Sequence, residues 1–169
     1  MSRLVIIGPA ASGKSRLGRR LAEALDIPFV DTDKRVVAAH GPIPDIFREH
    51  GETTFRRWER DAVVAALSED AVVSFGGGAV LDPRTQEDLA DQTVLLLTMT
   101  PEAAARRLGK DAGAKRPLLA EEGAWQRLAD ERMPIYLALA DGVIDTSHGN
   151  MRRVLEETLE WLRVVEATK

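Results

Sequence analysis

The stretch Gly8-Pro9-Ala10-Ala11-Ser12-Gly13-Lys14-Ser15 fits G-x-x-x-x-G-K-[ST]. It lies between an apolar run, Leu4–Ile7, and an amphipathic segment that opens at Lys14. Few folds accommodate that setting. Such a loop works where a buried strand delivers it to a helix N-terminus, so that backbone N–H groups and the helix dipole converge on phosphate oxygens. Lys14 then adds charge at the outer phosphates, and the Ser15 hydroxyl suits Mg2+. The motif predicts an α/β domain that binds a nucleoside triphosphate. Alone, it does not choose among kinases, ATPases and GTPases.

Beyond the loop, short apolar runs alternate with amphipathic segments, which predicts a parallel sheet covered by helices on both faces. Strands are expected at Leu4–Ile7, Phe29–Asp31, Ala71–Phe75, Val94–Met99 and Val143–Asp145. Helices are expected at Lys14–Leu25, Glu52–Leu67, Pro101–Leu108, Gly123–Leu139 and Met151–Val164. The 169 residues suit one domain, with 44% hydrophobic content and no repeat or linker. The chain has no cysteine, which removes disulfides, thiolate metal sites and a cysteine nucleophile. A net charge of −4 gives no basic field for nucleic acid. His40, His50 and His148 lack metal-ligand spacing and read as surface or capping residues. The run after Met1 is too short for a signal segment or a membrane helix, so a cytoplasmic protein with no membrane partner is expected.

Several groups invite a phosphate acceptor. The second strand ends in Asp31-Thr32-Asp33, on the rim that a parallel sheet shares with the phosphate loop. Asp31 suits a magnesium water, and Asp33 an attacking hydroxyl, although an aspartate there caps a helix equally well. Arg56 and Glu59 share a helical face, as a solvated ion pair or as something more. Pro134 suggests a kink that would let Arg132 point away from its neighbours. Arg56 and Arg132 together could clamp a carboxylate bidentately. Gly76-Gly77-Gly78 follows a strand, where one glycine would suffice to turn the chain. Three suggest that something sits against bare backbone. The stretch 109–117 has no periodicity and reads as a mobile loop, with Gly109 and Gly113 as hinges.

Together GPAASGKS, DTD, DIFREHGETTFRRWE, SFGGGAV, RRLGK…KRPLL and ERMPIY closely resemble shikimate kinase, a family of small kinases with this phosphate loop. The resemblance runs from about Leu4 to Asp145. It implies a three-layer P-loop kinase fold with a five-stranded parallel sheet, a substrate-binding region near 32–60 and a lid near 109–121. It implies ATP and Mg2+, transfer of phosphate to shikimate in aromatic amino-acid biosynthesis, and a monomer. Nucleotide contacts fall on Gly8, Ala10, Ala11, Ser12, Gly13, Lys14, Ser15 and Arg16. Arg107 lies near the adenine, and Arg116 reaches over the phosphates from the lid. Shikimate contacts fall on Asp33, Arg56, Arg132, Gly76, Gly77 and Gly78. Ser15 and Asp31 serve the metal, and Asp33, Lys14 and Arg116 the chemistry.

Three departures stand out. Ala11 occupies a position where the family has glycine, costing about 1 kcal/mol if φ there is positive. Gly41-Pro42-Ile43-Pro44 replaces a more polar stretch and suggests a stiffer substrate region. Residues 145–150 lack the basic residues and proline of the family's adenine loop. Three alternatives remain: a gluconate-type or nucleoside monophosphate kinase, a nucleotide-binding module without catalysis, and an acceptor related to the shikimate ring, such as quinate.

Overall fold

A computed structural model describes residues 1–109 and 116–169. Five parallel strands form one sheet: β1 (Leu4–Ile7), β2 (Phe29–Asp31), β3 (Val72–Ser74), β4 (Val94–Thr98) and β5 (Gly142–Asp145), in the order β2-β3-β1-β4-β5. The helices are α1 (Lys14–Leu25), α2 (Thr32–His40), α3 (Ile43–Leu67), α4 (Pro83–Leu89), α5 (Pro101–Leu108), α6 (Ala124–Leu139) and α7 (Met151–Thr168).

β1 is buried along its whole length, and its alternating side chains serve two cores. Val5 and Ile7 join Val73, Leu96, Val63 of α3 and Tyr136 of α6. Leu4 and Ile6 join Val72, Leu95, Leu97, Leu17 of α1 and Val154 of α7. Each aliphatic side chain so buried contributes about 1.5–3 kcal/mol. Val5 pairs with Val73 on one side and Val94 on the other. The chain thus reverses direction across the sheet at β1, and ligands bind at such a switch point. Among the described residues, no helix is long and apolar enough to cross a membrane.

The expected strands all form, with ends displaced by at most one residue. Three helical pieces go beyond expectation. α2 follows β2 directly, capped by Asp31, whose side chain accepts from the Lys34 amide. α3 begins at Ile43 rather than Glu52, because Pro42 and Pro44 act as a helix start. Gly51, at φ 81 and ψ 169, bends α3 into two arms. The first arm packs with α2 around Val36, Ile46, Phe55 and Phe47, a small core of its own. α4 starts at Pro83 behind the Asp82 cap.

The expected break at Pro134 does not occur. α6 runs unbroken from Ala124 to Leu139. Pro134 faces solvent, where the carbonyl freed one turn earlier can bond water. Arg132 turns inward because Ala129 and Tyr136 lie three before and four after it on the buried face.

Candidate active site

The phosphate loop joins β1 to α1. Gly8 takes φ 144 and Gly13 takes φ 94. Ser12 is buried, and its hydroxyl donates to the Pro9 carbonyl at 2.8 Å. Lys14 Nζ donates to the Gly8 and Pro9 carbonyls, each at 2.9 Å. Burial pulls the Lys14 ammonium down to about 8; Asp33 and Asp31 oppose the shift, and Arg116 and Arg132 add to it. Ala11 stands at φ 67, so the strain expected there is present.

Ser15 Oγ donates to Asp31 Oδ2 at 2.6 Å, while Asp31 Oδ1 caps α2. One oxygen of this aspartate caps the helix, and the other faces Ser15. The pair offers hard oxygen donors beside a phosphate loop. Magnesium takes such a set, using few protein ligands and completing its shell with phosphate oxygens and waters. Among the described residues, no group of three or more metal-ligating side chains occurs.

Next to these lies the acceptor end of one cleft of about 840 Å³, lined by Lys14, Asp33, Arg56, Arg116 and Arg132. Among the described residues, the buried Asp33 Oδ1 has no hydrogen-bond partner. Burial and the neighbouring Asp31 raise its pKa, against the pull of Lys14, Arg56 and Arg116. Arg56 Nη1 donates to Glu59 Oε1 at 2.8 Å. Glu59 is 3% exposed, so this is not the solvated pair that spacing alone allows. Burial raises the Glu59 carboxyl, and Arg56 pulls it back.

The three glycines make room for three different side chains. A Cβ at Gly76 would collide with Asp33 Oδ1, one at Gly77 would lie 3.2 Å from Arg132 Nη1, and one at Gly78 would lie 2.5 Å from Arg56 Nη1. The bare backbone expected to receive a ligand is thus first occupied by the charged groups around it. Among the described residues, the Gly77 and Gly78 amides have no protein acceptor.

Arg107 donates to the Ala11 carbonyl at 3.1 Å and to the Thr146 carbonyl, tying α5 to the phosphate loop and to the loop after β5. Arg16 is exposed at the rim of the cleft. Arg116 is described and faces the cleft, whereas Gly113 lies outside the described residues. His40 and His50 are exposed and pack on Trp58, His40 stacked at 3.7 Å; His148 is exposed. Trp161 covers Gly142 of β5. Sequence reading missed three site residues. The Thr32 hydroxyl accepts from the Gly76 amide at 3.3 Å. The Tyr136 hydroxyl donates to the Gly77 carbonyl, and the Trp125 indole donates to the Ala10 carbonyl.

The shikimate kinase family profile matches residues 10–163. A shikimate kinase of Mycobacterium avium is 40% identical over 172 positions, covering 99% of this chain and 97% of that one. One of Streptomyces coelicolor is 39% identical, covering 97% of each. The shikimate kinase from Acinetobacter baumannii, solved in complex with shikimate, superposes with a TM-score of 0.87 at 31% identity, covering 98% of this chain and 93% of that one.

Proposed function

The chain belongs to the shikimate kinase family, and on that premise we propose that it transfers the γ-phosphoryl group of ATP to the 3-hydroxyl of shikimate. ADP and 3-phosphoshikimate are the products, in a step of aromatic amino-acid biosynthesis. One observation carries the reading. Two guanidinium groups, Arg56 and Arg132, meet over adjacent glycines beside Asp33, whose buried Oδ1 has no hydrogen-bond partner among the described residues. That arrangement suits a small molecule with a carboxylate at one end and a hydroxyl at the other. A gluconate-type acceptor also has both, so acceptor choice belongs in the test.

Catalysis rests on positioning and charge, with no covalent intermediate on the chain. Arg56 and Arg132 hold the substrate carboxylate, and Glu59 fixes Arg56. Asp33 accepts a hydrogen bond from the attacking hydroxyl and takes up its proton as the new P–O bond forms and the bond to ADP breaks. A raised pKa makes Asp33 the better base for that task. Lys14 and Arg116 spread the charge that develops on the transferring group. Ser15 and Asp31 would hold magnesium, which would supply positive charge beside the phosphates. A lid near 109–121, of which residues 110–115 lie outside the described residues, would serve to exclude water. We further propose that the enzyme acts as a monomer in the cytoplasm.

The test is ADP release from Mg-ATP, alone and with shikimate, quinate or gluconate. Strong stimulation by shikimate alone is expected. Binding of ATP without stimulation by any of the three would leave the nucleotide-binding module as the better account.

A further inference from the structure

Trp125 does not line the cleft, yet it holds the phosphate loop from behind. It sits in the first turn of α6, just past the lid region, and its indole N–H donates to the Ala10 carbonyl at 2.8 Å. In a planar trans peptide, C=O and N–H point in opposite directions. A carbonyl of Ala10 drawn outward therefore aims the Ala11 amide inward, toward the cleft that Ala10 and Ala11 line.

The next residue needs that hold. Ala11 is at φ 67, a left-handed conformation that disfavours any side chain and that glycine reaches unaided. Its methyl packs with Trp125 and Leu108 against Met99, Ala103 and Ala104. Its carbonyl takes a hydrogen bond from Arg107 at 3.1 Å. The carbonyl before the Ala11 φ rotation is thus held by Trp125 from behind the cleft, and the one after its ψ rotation by Arg107 at the cleft wall.

We propose that Trp125 is a positioning residue for the nucleotide, holding Ala11 in the left-handed conformation that turns the loop amides onto the phosphates. The inference rests on the phosphate-loop reading above. It differs from a packing role in one respect: Trp125 should matter because residue 11 is alanine. With glycine there, the loop takes the same conformation without the indole.

Calorimetric titration of the full chain with MgADP, and separately with shikimate, tests it. Trp125→Phe keeps the ring but removes the donor. It is expected to weaken MgADP binding about fivefold, the loss of one ordinary hydrogen bond, and to leave shikimate binding within twofold. In an Ala11→Gly background the same change is expected to cost less than twofold. An unchanged MgADP dissociation constant in Trp125→Phe would overturn the proposal, as would an equal loss in both backgrounds. Where Trp125→Phe does not fold, Trp125→His, which keeps a ring N–H, is compared with Trp125→Leu. The histidine variant should bind MgADP at least threefold more tightly, and equality would overturn the proposal. Shikimate-stimulated ADP release by the unsubstituted chain is measured alongside, so failure of the kinase reading shows separately.

Discussion

The Arg56 guanidinium fills the space where a side chain at Gly78 would begin: a Cβ there would lie 2.5 Å from Nη1 and 2.6 Å from Nη2. The colliding atoms are the tip of a flexible side chain, so the fold can absorb Gly78→Ala by moving Arg56. The clamp proposed for the substrate carboxylate cannot. Gly78→Ala is expected to keep its melting temperature within a few degrees while the shikimate KM rises at least tenfold. ATP KM should stay within twofold. Equal losses for both substrates would disconnect Gly78 from the clamp.

Arg132 is the more buried half of that clamp, at 9% exposure. Arg132→Ala is expected to raise the shikimate KM about 100-fold, matching the roughly 3 kcal/mol seen when one partner of a buried charge pair is truncated. ATP binding should remain nearly intact. Steady-state kinetics with each substrate varied in turn checks both statements, and an unchanged shikimate KM would remove Arg132 from the clamp.

Much of this was legible locally. The span of α1 follows from the phosphate loop behind it, and α5 from Thr100 as cap and Pro101 at its start. α2 was not legible, because only Thr32 and Val36 of its nine residues are buried, too few to mark a stripe. α4 has seven residues and buries two. In the site, motifs carried Lys14, Asp31, Asp33, Arg56 and Arg132. Two of the contacts they left out, those of Tyr136 and Trp125, share a cause. Tyr136 reaches Gly77 across 59 positions and Trp125 reaches Ala10 across 115, and each bonds a backbone carbonyl. Every residue carries a carbonyl, so no residue type marks the partner.

The pH profile should have two limbs with separate owners. Lys14 is charged below about 8 in the free protein and neutral above it. Bound phosphates favour the charged form, so kcat/KM for ATP is expected to be flat below pH 8 and to fall above it. On the acid side Asp33 must be ionised to accept the hydroxyl proton, and its raised pKa places that limb above the ordinary aspartate value of 3.8. Asp33→Asn is expected to lose most turnover with the fold intact. Its residual kcat should no longer fall on that acid limb. A near-fully active variant would end the role given to Asp33.

Tyr136 carries a prediction that separates holding the loop from filling the core. Its ring is fully buried, and its hydroxyl donates to the Gly77 carbonyl under Arg132. Burial raises its pKa, so it remains a donor at neutral pH. Tyr136→Phe keeps the packing and leaves a half-buried carbonyl without its donor, at a cost of about 1–2 kcal/mol. At roughly 2–4 °C per kcal/mol for a domain of this size, the melting temperature should drop several degrees. With its carbonyl free, the Gly77–Gly78 peptide can rotate and carry the Gly78 amide away from the substrate side. The shikimate KM should then rise severalfold while ATP KM stays within twofold. A lowered melting temperature with both KM values unchanged would make Tyr136 a core residue and no more.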